Sequence, residues 1–524
     1  MSNLPFLTFI TFFPLLSAVF ILLLNSRMSG MNRMAAMGSS FITLLATVVV
    51  WLNFDPQSAA MQFVQRWDWI PSIGVEYHVG IDGLGLVMIM LAALLVPFAL
   101  FISPGGEGKG YYSLILFLQT GLMGTFTALN FIHWFVFWEI ALIPAFFLIK
   151  NWGGRGADRA AIQFFVYTMV GSIALLLAFL ALFLAAGRLE SAHPFGFLEL
   201  ADLARSGELS SALSVSLSSF DAFTTERGLM LFIFLLAFLG FAVKLPIWPF
   251  HTWLPQTYAE APTPVTMLLT GAMSKMGAYG LIRILLPIFP KEIQALQTPL
   301  LALALASIVF GAAAALMQKD LKRMLAYSSI NHLGYVALAV FATVAFTFDE
   351  STAVTERTAA LNGAALQMFN HGITAAALFG FVALIEKRSG GARGMDDFGG
   401  LRKVAPVFCG LMGISIFASL GLPGLNGFVG EFLIFKGVFG LMPWAAVFAT
   451  PGLLFTAWFL LNMIQKVFNG PLIERWKEFP DLTAKEILVV APATALMFVI
   501  GIWPQSVVGV LNESMKALAS GLGN

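Results

Sequence analysis

The chain has 524 residues, of which 59% are hydrophobic and 11% charged, with a formal net charge of +1 and a mean hydropathy of +0.85. A soluble domain carries about 25% charged residues, so this composition excludes a soluble globular protein and leaves one large polytopic bundle in a lipid bilayer. The near-neutral charge gives no nucleic-acid-binding surface, and with Cys409 as the one cysteine there is no internal disulfide, zinc–thiolate site or Fe–S ligation.

A membrane-spanning helix needs about 20 mainly apolar residues. On that criterion the expected fold is all-α, with fourteen spans at 4–25, 34–54, 81–103, 111–130, 131–150, 160–187, 228–258, 263–289, 298–317, 323–347, 357–385, 404–443, 446–468 and 484–503. MSNLPFLTFITFF lacks a basic n-region and a following cleavage site, so it reads as a retained first span. Residues 55–80 alternate in hydropathy around Pro71 and Gly74, which predicts a small extramembrane hairpin. GIDGLGLV, at the start of the third span, echoes a glycine-rich nucleotide loop but lacks the strand–helix context. No P-loop is present. Residues 188–227 are polar and Ser-rich, with a surface amphipathic helix expected near Phe197–Ala204.

Loops after odd-numbered spans hold 17 Lys and Arg, and the opposite face holds 7. The positive-inside rule then places the odd-numbered loops in the cytoplasm and both termini on the outer face.

The seventh span contains Pro246, Pro249 and Pro255, and the twelfth contains Gly421, Pro423, Gly424 and Gly427. Proline removes a backbone donor and clashes with the preceding turn. Two helices broken at membrane depth suit a transporter site. The breaks lie five spans apart, which predicts two five-helix repeats. An odd-numbered unit must be inverted relative to its partner. The organisation expected is 1–110 with three spans and the hairpin, 111–290 and 298–468 as the repeats, and 469–524 with the last span.

Glu139, Lys244, Lys275 and Glu431 lie deep in apolar stretches. Each costs roughly 2.5–3.5 kcal/mol on insertion scales, and such residues mark ion pathways and proton relays. Glu139 and Lys244 read either as a proton-affinity switch or as a static buried pair. Lys275 lies among Gly271, Ala272, Ser274, Gly277 and Gly280, small residues that allow close helix contact and leave room for water. His332 and His371 suit proton relay but also fit hydrogen-bonded core positions. His251, directly after the first break, is either a cap or a relay. His133 reads as interfacial, and Lys436 and Lys466 as snorkelling near span ends. The histidines lack metal-ligand spacing, so no metal site is expected.

The segment KLPIWPFHTWLPQTYAEAPTPVTMLLTGAMSKMGAYGLIR resembles the signature of the antiporter-like subunits of respiratory complex I and of Mrp-type cation/proton antiporters. The resemblance extends over essentially the whole chain. It implies fourteen core spans, inverted repeats and a central hydrophilic axis. By resemblance, Glu139 and Lys244 are a coupled pair and Lys275 is the central relay. His332 and His371 lead to the second half, and Glu431 is the terminal site. Related subunits place lysine there; glutamate within NGFVGEFLIF is similar to the subunit M (chain 4) branch of NADH–quinone oxidoreductase. No long C-terminal lateral helix of the subunit L kind is evident. The implied function is proton translocation in a bacterial inner membrane, less so a mitochondrial one. Neighbouring antiporter-like subunits lie on both sides, and FMN, Fe–S clusters and quinone belong to partner subunits, with no cofactor in this chain. A Mrp-type sodium/proton antiporter subunit is the alternative; a passive membrane scaffold would not need buried lysines.

Overall fold

The computed structural model describes residues 5–24, 29–191, 193–216, 226–347 and 349–522. Residues 4 and 25, the ends of the first predicted span, and residues 192 and 217–225 of the Ser-rich segment lie outside the described residues.

Helices α1 (Phe6–Leu23) and α2 (Ser29–Leu52) precede the antiparallel hairpin of β1 (Gln62–Ile70) and β2 (Val75–Ile81). Gly74 closes its turn at φ 68°, a conformation that costs glycine least. Helices α3 (Gly83–Ile102), α4 (Lys109–Thr127), α5 (Phe131–Trp152) and α6 (Ala157–Arg188) follow. Asp82 caps α3 by accepting from the Gly85 N–H, and Asn130 caps α5. The expected amphipathic helix is α7 (Phe197–Ser206), which buries Phe197, Leu200 and Ala201, and α8 (Glu208–Ser216) follows it.

Helix α9 (Glu226–Lys244) is separated by a turn-rich segment from α10 (Leu254–Glu260). The next helical stretch consists of α11 (Thr263–Leu268), α12 (Ser274–Gly280) and α13 (Leu286–Ile288), joined by π turns at Leu269–Met273 and Leu281–Leu285. Then come α14 (Pro290–Ala295), α15 (Gln297–Leu316), α16 (Leu321–Ala342) and α17 (Glu350–Ser389). Helices α18 (Pro406–Ser419) and α19 (Asn426–Leu441) flank a second interruption, and α20 (Pro443–Met463), α21 (Ala484–Ile502) and α22 (Gln505–Ser520) complete the chain.

Among the described residues, 11 helices are long and apolar enough to cross a membrane. The predicted spans at 111–130, 263–289 and 404–443 are helical but of another kind. α4 is rich in Gly, Thr and Tyr and is almost wholly covered by protein, so it does not need a lipid-like surface. Residues 263–288 are divided by π turns, and α18 and α19 have only 14 and 16 residues each. The centre of the bundle is α16 and α17, whose apolar stretches are 94% buried, against 33% for α1 and 28% for α21. α17 packs on α3, α11, α16, α18, α19 and α22. Helix α22 was not among the expected elements; its Asn512, Glu513 and Lys516 interrupt the apolar pattern.

Candidate functional site

The first interruption follows from the prolines. Pro246 and Pro249 have no N–H to continue α9, which stops at Lys244. The freed backbone is satisfied locally. The Ile247 N–H donates to the Ala242 carbonyl (2.9 Å), and the Trp248 N–H to Ser307 Oγ (2.8 Å). The Trp253 indole N–H donates to the Val243 carbonyl (3.0 Å). Lys244 is buried at this end. Its ammonium donates to the Trp138 carbonyl at 3.3 Å and lies 4.1 Å from the Trp138 ring centroid. The negative end of the α9 dipole and the ring face both favour the cation. Glu139, the next residue on α5, is half-buried, and its Oε1 has no hydrogen-bond partner. Lys244 therefore bonds to the backbone beside Glu139 and not to its carboxylate. The two side chains thus form no direct contact ion pair.

Lys275 is fully buried. The π turn before it leaves the Thr270 carbonyl facing inward, where it accepts from the Lys275 ammonium at 2.6 Å. The same ammonium donates to Nδ1 of His371 on α17 at 2.6 Å, which puts the ring proton of neutral His371 on Nε2. Glycines make this contact possible. A Cβ at Gly372 would lie 2.8 Å from the Gly271 carbonyl oxygen, and one at Gly277 would lie 2.6 Å from the Leu245 nitrogen. The glycines serve close helix approach, and the room for water is at Ser274. A cavity of about 10 Å³, near the size of one water site, lies between Ser274, Lys244, Thr168 and Tyr258.

The row continues from His371. Its ring centroid is 5.4 Å from that of His332 on α16. A second cavity of about 10 Å³ is lined by both histidines, Gln367, Asn370, Ser419 and Glu431. His332 Nδ1 lies 3.1 Å from Glu431 Oε1, and Nε2 lies 3.1 Å from Ser419 Oγ. Gln367 Nε2 donates to the same Glu431 oxygen at 3.2 Å. Glu431 reaches this point because the chain breaks between α18 and α19. Gly421 and Gly424 have φ of 80° and 93°, and Pro423 lies between them. Gly427 fits directly against the Ala418 carbonyl. Lys275, His371, His332 and Glu431 thus form one row across four helical segments.

Other residues fall outside the row. His251 lies in the turn after α9, with its Nδ1 buried and unpartnered and its carbonyl accepting from the Leu254 N–H at 3.0 Å. His133, expected to be interfacial, is at the start of α5 but buried against Tyr77. Lys436 and Lys466 do not simply snorkel: each meets a carboxylate, Glu356 at 2.9 Å and Asp396 at 2.7 Å. Among the described residues, no group of three His, Cys, Asp or Glu is placed to hold a metal ion. Sequence reasoning missed Gln367, Ser419 and the buried Asp82–Arg283 ion pair. The signal for Gln367 was present in LQMFNH, a polar residue inside an apolar span.

Polytopic α-helical membrane proteins with a buried row of ionisable side chains crossing interrupted helices form the class to which this architecture belongs. Residues 128–456 match the family described as NADH:quinone oxidoreductase/Mrp antiporter, transmembrane, and the chain belongs to that family. It is similar to NADH-quinone oxidoreductase subunit M of Rhodobacter capsulatus, at 34% identity over 99% of this chain and 96% of the relative. It is also similar to F(420)H(2) dehydrogenase subunit M of Methanosarcina mazei, at 36% identity over 92% and 93% of the two chains. A chain in the structure of respiratory complex I from Thermus thermophilus with bound NADH superposes with a TM-score of 0.83 at 26% identity. The match covers 99% of this chain and 100% of that one.

Proposed function

We propose that this chain is a proton-translocating membrane subunit of an NADH–quinone oxidoreductase. The observation that carries the proposal is the row Lys275–His371–His332–Glu431, with contacts of 2.6 and 3.1 Å at its ends. Lys275 can give a proton to Nδ1 of His371, which then releases its Nε2 proton onward. The water-sized cavity between the two rings carries it to His332, and Glu431 stabilises the charged His332 ring. Glu139 and Lys244 act as the switch that sets the charge on Lys275. Helix α16 links the row to the cytoplasmic side. A cavity of about 840 Å³ is lined there by Glu260, Lys322, Glu386 and Arg393. Buried Lys322 donates to the Ala261 carbonyl at 2.6 Å, and Ser329 and Thr270 meet at 2.9 Å. Protons enter by this route.

In this reading fourteen spans form two inverted five-helix repeats, at 111–290 and 298–468, and the breaks at Pro246/Pro249 and Pro423/Gly424 occupy corresponding places. Residues 1–110 and 469–524 flank them, and His251 stands by at the first break. The chain lies in a bacterial inner membrane with both termini outside. It contacts other membrane subunits, while FMN, Fe–S clusters and quinone sit in partners. The other reading is a Mrp-type sodium/proton antiporter subunit. Affinity purification of the tagged chain from solubilised membranes separates the two. Co-purifying flavin and Fe–S subunits support the proposal, and a redox-free assembly of Mrp-like subunits overturns it.

A further inference from the structure

Among the described residues, three buried amide oxygens on α17 have no partner: Asn370 Oδ1 and, nearer the helix N-terminus, Gln367 Oε1 and Asn362 Oδ1, the last two in side chains only 2% and 4% exposed. They point to an occupant that supplies hydrogen bonds, since a buried carbonyl left unpaired costs roughly 1–3 kcal/mol. Gln367 already donates to Glu431, the last group of the relay row. Asn362 lies five residues nearer the α17 N-terminus, on the outer side in the proposed topology. Five residues of helix rise about 7.5 Å, a gap that a short chain of waters would span. Asn362 Nδ2 in turn donates to Asn512 Oδ1 on α22 at 3.1 Å. Asn512 Nδ2 donates to the half-buried carboxylate of Glu513, also at 3.1 Å. The helix carrying them is held firmly. Ser514 Oγ accepts from the Gly83 N–H at 3.0 Å, and Gly83 presses on the Val510 carbonyl.

We propose that protons leave Glu431 along waters held by the amides of Gln367, Asn362 and Asn512, which themselves neither gain nor lose a proton, and reach the carboxylate of Glu513, so that α22 supplies the last part of the exit route. The inference rests on the proton-translocating reading above. The competing way out lies along α19, past the Lys436–Glu356 pair. There the helices touch backbone to backbone: a Cβ at Gly437 would lie 2.5 Å from the Ala360 nitrogen, and one at Gly363 would lie 2.5 Å from the Ile434 nitrogen. At these two glycines the nearest atoms are backbone or apolar side chain, which narrows that way out.

The test uses the assembled complex in liposomes, with proton release to the outer side followed by a pH-sensitive dye. Asn362→Leu removes both hydrogen-bonding atoms at similar volume, and Glu513→Gln removes the terminal acid. Each should slow proton release roughly tenfold, the effect of one lost hydrogen-bonding step, and raise the solvent deuterium isotope effect. Asn362→Asp and Glu513→Asp should restore both. Lys436→Gln should release protons at the unmodified rate. Should Asn362→Leu fail to assemble, Glu513→Gln, nearer the surface, carries the test. Normal release by an assembled Glu513→Gln complex overturns the route, as does an equal loss in Lys436→Gln. Glu431→Gln run in parallel separates the two levels. If it pumps normally, the relay row itself is wrong; if it alone is impaired, only the exit route is wrong.

Discussion

Replacing Glu431 with glutamine removes a charge and little else. The glutamine carbonyl can still accept from His332 Nδ1 and from the Gln367 amide, now 3.1 and 3.2 Å from the carboxylate, so the complex should assemble. What disappears is the field on His332. A carboxylate attracts a positive charge 3.1 Å away by about 5 kcal/mol at an effective dielectric near 20. Desolvation of two buried charges offsets much of this. A residual of about 2 kcal/mol still corresponds to roughly thirtyfold in a proton-transfer rate. Glu431→Gln should therefore slow pumping by at least about an order of magnitude. Glu431→Ala should be worse and less stable, because it strands two buried donors at roughly 1–3 kcal/mol each. Glu431→Lys should retain more activity than Ala. Gln367 can turn its amide to present Oε1, now unpartnered, to the new ammonium. Adding Gln367→Leu should remove that advantage. The assay is the initial rate of proton release in proteoliposomes, per electron delivered to quinone and per assembled complex. Pumping by Glu431→Gln indistinguishable from the unmodified protein would refute the reasoning.

Further predictions concern the remaining charges. Glu139→Ala and Lys244→Ala should each impair pumping strongly, with the double variant little worse, because the two share one function through Trp138; additive losses would mean that they act independently. At the hairpin, burial alone would raise the Glu76 carboxyl. Arg66, donating at 2.9 and 2.8 Å, outweighs this and holds it below its ordinary value of 4.5. A depressed value gives stability that is present above that pH and lost as pH falls through the folded-state value. Arg66 also reaches Glu199 of α7 at 3.6 Å, so hydrogen-exchange protection factors in β1 and β2, corrected for the intrinsic rate at each pH, should fall below about pH 4.5; unchanged protection would refute it. For topology, a cysteine at Gly391 should label only from the cytoplasm and one at Ser520 only from outside, and the reverse pattern would invert the orientation.

Much of the bundle is legible from apolar run lengths, and both interruptions follow from proline and glycine placement. Individual candidate residues are legible as well, because an ionisable group such as Lys275 in the middle of an apolar span is costly. Their connections are not. Lys275 and His371 lie 96 residues apart, and His332 and Glu431 lie 99 apart. Their meeting depends on helices pressed together at Gly271 and Gly372. Asp82 illustrates the opposite failure. Within GIDGLGLV it echoes a nucleotide loop, whereas the structure makes it a helix cap paired with Arg283 from a segment 201 residues further on. Helix α22 stayed hidden because polar residues, including Asn512, Glu513 and the exposed Lys516, interrupt the apolar run that marks a span.

The central claim is that electron transfer in partner subunits drives protons through Lys275. The direct measurement is proton release per electron pair in proteoliposomes containing the complex with Lys275→Ala, with and without sodium, assembly being checked by native gel. A small residue suits that tightly packed helix, so the complex should assemble while pumping through this subunit is lost, and the unmodified complex should pump without sodium. Unchanged stoichiometry in the assembled variant, or an absolute requirement for sodium in the unmodified complex, would contradict the account.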